Sequence, residues 1–418
     1  MITVSRIIIW SAYLLSLYFL VFWLLVYLDK GVKSISKSMS YFPNVTIAIP
    51  AYNEQDNIKD AITSVVNLDY PKDMMEIIVI NDGSKDNTKE KALESIQENK
   101  LYDIKLVNQE NKGKGAALNH ALRLATGEIF VCLDADSVVK ESTLKRILPH
   151  FEDEETAVVL PLMKVKEKST LLQKLQWCEY LLNFFYKKLM GHVDCITVAP
   201  GPFSVYKTEL LRKIGYFDEH NLTEDQEIAL RLQKQHYKIK QVLDAEVYTS
   251  APSTFKGFYK QRNRWYKGTV LNMVRYRSLI FNKKYGDFGM MQMPYTAASG
   301  IIAIIVFSVV FFEYLIRPLL RYLSDLSYIN YNLLPEVSRF FSNLIIFDVN
   351  ITNIFLAIVS IILGFIIVIL AYKNTNENIF GKASFIAIPT YYIAYASLAA
   401  LVWFGVIIEL LFGKIQRW

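Results

Sequence analysis

Cysteine is scarce in this chain: Cys132, Cys178 and Cys195 lie far apart, with no paired spacing for zinc or redox work. With only five histidines beside them, a metal site built on sulfur or imidazole is excluded. The thiols read as reduced packing residues in a reducing compartment. Glycine-rich nucleotide fingerprints are missing too. Gly113 and Gly115 lack a third glycine three residues on, where Leu118 stands, and no Lys-Ser or Lys-Thr follows a final glycine. There is no internal repeat and no low-complexity tract. The excess of positive charge is small, +6 over 418 residues. Basic residues gather beside apolar segments and form no nucleic-acid face, so lipid headgroups are the expected partner and nucleic acid is not.

Long uncharged runs are absent from residues 43 to 250 and confined to the two ends. That split excludes a wholly soluble protein and a compact helical transporter alike. Ile7 to Leu28 is an uncharged run of 22 residues, long enough to cross a hydrocarbon core. Trp10, Tyr13, Trp23 and Tyr27 suit its interfaces. A signal peptide is the rival reading, but the run is long and no small-residue cleavage site follows. Lys30, Lys33 and Lys37 come next, so the positive-inside rule puts the following segment in the cytoplasm. Ala297 to Ile316, Ile351 to Tyr372 and Phe385 to Phe412 are three further spans, with Glu313 and Glu409 near two of their ends. Four spans put both termini outside, with the mixed charges of residues 318 to 350 (Arg339, Glu336 and Asp348 among them) also outside.

From Pro43 the pattern turns to short apolar strands spaced by amphipathic helices. Strands are expected at Val45 to Ile49, Glu76 to Ile80, Ile104 to Val107 and Ile129 to Leu133. Helices are expected at Asn57 to Asn67, Thr88 to Glu98 and Ala116 to Ala125. The alternation predicts an α/β fold with a parallel-rich sheet, whose strands are apolar throughout because both faces are covered. Leu171 to Leu189, ending on Lys187-Lys188, and Phe255 to Phe281, with seven Lys and Arg among its aromatics, are expected as interfacial helices. An amphipathic core helix is the plainer reading of both.

Chemistry-bearing residues collect where strands end, which is where open α/β sheets bind ligands. The first strand runs into Pro50-Ala51-Tyr52-Asn53-Glu54, which could stack a base; equally, Asn53 or Asp56 could cap a helix. Asn81-Asp82-Gly83 reads as an Asx turn or as a carboxylate for a base N–H. Lys112 to Gly115 opens a helix and offers a generic phosphate-side loop. Asp134-Ala135-Asp136 can hold a divalent cation against phosphate oxygens. Thr223-Glu224-Asp225 starts a helix whose acids also suit the dipole, with Thr223 as N-cap. Gln261-Arg262-Asn263-Arg264-Trp265 suits a diphosphate and a stacked sugar, or a helical membrane face.

Taken in order, these six motifs resemble the family 2 glycosyltransferases, over about residues 43 to 270. More narrowly they resemble the processive membrane synthases of cellulose, hyaluronan and poly-N-acetylglucosamine. One departure is Pro200-Gly201-Pro202, where the family often has Ser-Gly or Gly-Gly. The resemblance implies a GT-A-like fold and a nucleotide-sugar donor, usually a UDP-sugar. Pro50, Tyr52, Glu54 and Asp82 would then line the nucleoside pocket, with Lys114 and Asp134 toward the diphosphate. Asp136 would coordinate Mn²⁺ or Mg²⁺, and Asp225 would be the general base with Glu224 beside it. Gln261, Arg262, Arg264 and Trp265 would hold diphosphate and acceptor sugar.

The expected organisation is an anchor at 1–30, a cytoplasmic catalytic domain at 43–255, interfacial helices at 256–296 and membrane spans at 297–418. The expected activity is inverting transfer to a growing polysaccharide exported through the spans. An accessory subunit or homo-oligomer would complete the pore, because four spans are few for a channel. The alternative is transfer of a single sugar to a polyprenyl phosphate or another lipid. A membrane scaffold with a dead transferase domain is the rival from another class, and the intact Asp136 and Asp225 argue against it.

Overall fold

The computed structural model describes residues 4–32, 41–328 and 351–414. The charges expected at Lys33 and Lys37, and at Glu336, Arg339 and Asp348, lie outside them. Strands β1 (Val45–Ala51), β2 (Met75–Asp82), β3 (Asp103–Gln109) and β4 (Ile129–Cys132) are followed by β5 (Ser137–Val139), β6 (Thr156–Val165), β7 (Ser204–Lys207) and β8 (Lys238–Thr249). They form one eight-stranded sheet in the order β3-β2-β1-β4-β7-β6-β8-β5.

The first four strands are parallel, with Val45 opposite both Met75 and Ile129. β7 then runs antiparallel between β4 and β6, and β5 is antiparallel to β8, so the sheet is mixed. Alternate residues of β1 serve two cores. Ile47 and Ile49 pack with Ile58, Ile62 and Val65 on one face, while Ala48 packs with Ala117, Leu118 and Ala121 on the other. Burial on both faces keeps β1, β2 and β4 largely apolar, whereas the edge strand β3 is half exposed and mixed in character.

The helices of this part are α2 (Ile58–Val66), α3 (Thr88–Glu98), α4 (Lys114–Leu124), α5 (Thr143–Ile147), α6 (Leu171–Gly191), α7 (Thr208–Lys213), α8 (Glu224–Lys234) and α9 (Phe255–Arg275), after an N-terminal α1 (Val4–Lys30). α6 is covered by protein along most of its length. Trp177, Cys178, Tyr180, Phe184 and Phe185 are buried, and the helix is wedged between the sheet and the apolar helices that follow residue 350. Its polar residues do not face headgroups: Glu179 is ion-paired, Lys187 lines a cavity, and Thr170 with Gln173 forms a capping box at the start.

α9 divides its basic residues between solvent and the interior. Lys256 and Lys260 are exposed, but Arg262 and Lys267 are buried and paired with Glu179 and Glu409. Among the described residues, four helices are long and apolar enough to cross a membrane. They are Ile7–Lys30, Phe288–Ser324 (which contains α10, Met293–Phe311, and the start of α11, Arg317–Tyr328), Phe355–Asn374 and Lys382–Leu411. At the far ends of the first two, Ser5 donates to Glu313 at 2.7 Å and Glu313 accepts from Arg317. All three cysteines are buried and free.

Candidate active site

β1 ends on Pro50 and Ala51, and Tyr52 emerges 41% exposed. The next residue, Asn53, sits at φ 56°, a left-handed conformation that asparagine tolerates. Its backbone N–H donates to Ser84 Oγ at 3.1 Å and its side-chain oxygen accepts from the Lys85 N–H at 2.8 Å. It therefore ties two strand-end loops together and caps no helix. Glu54 accepts from Asn57 Nδ2 at 2.7 Å. Burial pushes its carboxyl up to about 7 against that hydrogen bond, and the charges of Asp136 and Asp134 push the same way.

At the end of β2 the turn is made by Asn81, which accepts from the Ser84 N–H at 3.1 Å. Asp82 is buried and turns instead to the neighbouring loop. It accepts from Gln109 Nε2 at 2.7 Å and from the N–H groups of Lys112 at 3.0 Å and Gly113 at 2.9 Å. This clamp presents Gly113 at φ 89° as the last residue before α4, so the helix starts on Lys114, two residues ahead of expectation.

Lys114 reaches across to Asp134, beyond β4, and lies 3.5 Å from Glu224 at the start of α8. Burial alone would lower the lysine, but these carboxylates outweigh it and hold the ammonium above its ordinary range. Gly201 presses on this pair, and a Cβ there would collide with Lys114 Nζ and both Asp134 oxygens. A side chain at this position would have to displace the Lys114–Asp134 pair.

Asp136 accepts from Ser137 Oγ at 2.9 Å and from Thr249 Oγ1, at the end of β8, at 3.4 Å. Burial and the Asp134 charge raise its carboxyl above the usual range. A cation would relieve both effects, and the donors are all oxygens, which fits a hard divalent ion such as Mn²⁺ or Mg²⁺. Among the described residues no group of three or more His, Cys, Asp or Glu stands ready to hold one. The rest of its shell must come from water and from ligand oxygens.

On the other side of the same cavity, Asp225 lies in the first turn of α8 and accepts from the Gln226 N–H at 2.8 Å. Burial raises it to about 6, with Glu224 adding to the rise and Lys114 and Arg264 opposing it. Thr223 stands at the N-cap position without capping; its hydroxyl accepts from Asn272 Nδ2 of α9 at 3.1 Å. Arg264 donates to the Leu222 carbonyl at 3.5 Å. Gln261 Oε1 is buried without a hydrogen-bond partner.

Arg262 is at the cavity wall, but both terminal nitrogens go to Glu179 of α6, at 2.7 and 2.6 Å. The Trp265 ring covers its guanidinium at 4.3 Å. Arg262 is therefore a bidentate link between α9 and α6, with its charge already neutralised.

Lys114, Asp134, Asp136, Glu224, Asp225, Gln261, Arg262, Arg264 and Trp265 line one cavity of about 800 Å³. Pro50, Tyr52, Glu54 and Asp82 do not line it; they form the adjoining strand-end edge. Three contributions had no counterpart in the sequence reading. Glu179 and Lys187 come from α6, and Phe19, Leu20 and Trp23 come from α1. Glu179 carried a signal, as the one acid in the aromatic run of α6. Burial lowers the Lys187 ammonium to about 8, against the pull of Asp225.

Residues 46–215 match the sequence model of the family Glycosyl transferase family 2. This stretch holds Asp82, Lys114, Asp134 and Asp136, and it is similar to the family 2 glycosyltransferases. Its relatives are more particular. A poly-beta-1,6-N-acetyl-D-glucosamine synthase of Staphylococcus epidermidis is 33% identical over 244 residues, 57% of this chain and 58% of that one. A protein of the same name from Staphylococcus aureus (strain MSSA476) is 31% identical over 261 residues, 61% and 62% of the two chains. The matched region thus covers 58 to 62% of these relatives' length. The fold is shared with the mannosyltransferase PcManGT from Pyrobaculum calidifontis, solved in complex with GDP-Man and Mn²⁺. Its TM-score is 0.59 over 97% of this chain and 96% of that one, at 20% identity.

Proposed function

We propose that this protein is a membrane-embedded inverting glycosyltransferase that extends a polysaccharide from a nucleotide-sugar. By the names of its relatives the product is a β-1,6-linked N-acetylglucosamine polymer, and the resemblance of its motifs makes the donor a UDP-sugar. The observation that carries the reading is that one cavity holds the Lys114–Asp134–Asp136 group together with Asp225 and Trp265.

In this reading Tyr52 stacks the base at the strand-end edge, and Asp82 orders the Lys112–Gly115 loop that presents Lys114 to the diphosphate. Asp136 would hold Mn²⁺ or Mg²⁺, which would supply positive charge beside the leaving diphosphate. Asp225 accepts the proton of the acceptor hydroxyl as that oxygen bonds to the anomeric carbon. The bond to the diphosphate breaks on the opposite side, and its electron pair leaves with the diphosphate. A carboxyl near 6 is mostly ionised at neutral pH yet still basic enough to take that proton. Trp265 and Gln261 face the acceptor sugar, one with a ring and the other with its unpartnered carbonyl oxygen. The catalytic domain faces the cytoplasm, and a second copy or an accessory subunit completes the export path.

Incubating membranes with labelled UDP- and GDP-sugars and Mn²⁺ or Mg²⁺ tests the reading. UDP-N-acetylglucosamine is expected to give a high-molecular-weight, metal-dependent product. A product confined to one sugar on an extractable lipid would overturn the polymerase reading.

A further inference from the structure

We infer that the apolar helix Lys382–Leu411 lies in the plane of the membrane beneath the catalytic domain and does not cross the bilayer. Gly413 and Lys414 then remain on the catalytic-domain side, and the chain crosses three times, through Ile7–Lys30, Phe288–Ser324 and Phe355–Asn374. This is independent of the proposed reaction.

The approach to the helix is fixed to the sheet. Glu377, in the turn before it, lies 3.2 Å from Lys164 of β6 and 3.5 Å from Lys168. Lys164 is buried and also pairs with Glu246 of β8 at 3.0 Å, and Lys168 sits 4.0 Å over the Trp177 ring of α6.

The far end is fixed to the same domain. Glu409 pairs with Lys267 of α9 and accepts from Asn263 at 3.2 Å and Tyr259 at 3.3 Å. α9 is itself tied to the catalytic domain at both of its ends. Just before its start, the carbonyls of Ala251 and Pro252 accept from Gln173 and Gln176 of α6. At its end, Asn272 donates to Thr223 and Gln226. Arg275 pairs with Asp218, and Tyr276 donates to Glu227. Lys256 and Lys260 of α9 are exposed within a turn of the Glu409 contact, which puts that contact at the level of headgroups and water.

A helix of this length extends about 45 Å, more than the roughly 30 Å of a hydrocarbon core. Crossing would carry Glu409 to the opposite face from Glu377, yet both are ion-paired to one soluble domain. Contacts between the two ends follow the same surface. Ala387 and Ile388 pack into the core with α6, and Trp403 stacks on Tyr266 of α9 at 4.4 Å. Pro389 and a π turn at Tyr391–Tyr395 lie where the helix passes from α6 to α9. α10 meets it from Gly300 against Trp403 to Phe307 against Phe404, about two to four turns below Met293, which is buried in the catalytic domain.

Phe385, Ile393, Leu401, Ile408 and Leu411 are exposed along the other side, at 80, 80, 49, 52 and 80%. Their spacing follows one helical face. Acyl chains of the leaflet adjoining the catalytic domain are the occupant of that face. Apolar protein on one side and lipid on the other make the helix hydrophobic all round, which is why its composition alone reads as a span.

Single cysteines decide the question in the full chain in sealed vesicles, with a membrane-impermeant maleimide and the unsubstituted chain as background. Lys414→Cys is expected to label from the same side as Lys85→Cys on the catalytic domain; labelling from the side of Val4→Cys would overturn the inference. Nitroxides placed through Phe385→Cys, Ile393→Cys, Leu401→Cys and Ile408→Cys are expected to report one shallow depth. A depth that peaks at Ile393 and Leu401 would overturn it as well.

Discussion

The strand-end edge and the cavity beside it handle negative charge in different ways. Along the edge of β1 and β2, polar groups are satisfied by their neighbours. Asp82 takes two backbone N–H groups and an amide, and Asn53 ties one loop to the next. Across the cavity the carboxylates are met by cations from remote parts of the chain: Asp134 by Lys114, Glu179 by Arg262, and Asp225 by the fields of Lys114 and Arg264. Backbone clamps give a rigid rim that costs little to alter at its exposed tip. Buried ion pairs give a wall in which the loss of one partner strands the other, and in which proton affinities are moved toward neutral pH.

The largest effect is expected at Asp225→Asn, which should reduce turnover roughly 10²- to 10⁴-fold while donor binding persists. Because the base works ionised, wild-type turnover should fall as pH drops through about 6. The variant should lose that limb in a pH–rate profile; an unchanged profile would remove Asp225 from the role. Asp136→Ala should lose roughly 3 kcal/mol of charge stabilisation, about a hundredfold, together with the response to Mn²⁺ or Mg²⁺. A metal titration that keeps its wild-type amplitude would count against it.

Glu179→Ala isolates the charged wall, since it should cost about 3–5 kcal/mol by leaving Arg262 buried and unpaired. The thermal midpoint in detergent should drop, and Glu179→Leu with Arg262→Met should restore much of it. A single variant as stable as wild type would contradict the stranded-charge account. The exposed rim should respond least. Tyr52→Ala should leave stability within about 0.5 kcal/mol and raise the donor KM about fivefold, the equivalent of ~1 kcal/mol of stacking. A destabilised protein with unchanged KM would show that the rim is held by its side chains after all.

This contrast also explains what could be read from the chain. α3 falls at Thr88–Glu98 as expected, and β1 to β4 agree to within a few residues, because strands covered on both faces leave an apolar run between turn residues. The antiparallel half was hidden. β7 is only Ser204–Lys207, and β8 begins Lys-Ile-Lys-Gln, so neither carries a clear period. Asp134, Asp136 and Asp225 were visible from their places at a strand end and a helix start. The bond between Arg262 and Glu179 was not, because it joins two helices through residues 83 positions apart. Local chemistry specified α6 and α9 as amphipathic helices, and only the tertiary structure decided that their polar residues would turn inward to each other.

Lys114 has a consequence for how the donor would be received. Its ammonium is already engaged by Asp134 and, more distantly, by Glu224. A diphosphate arriving at this lysine would therefore enter by an exchange of counter-ions, and Asp134 would be released as it bound. The carboxylate set free would lie two residues from Asp136, so the same event that seats the donor would deepen the negative potential in which a divalent cation would rest. Donor and metal would then bind with positive mutual dependence, each preparing the charge that the other requires.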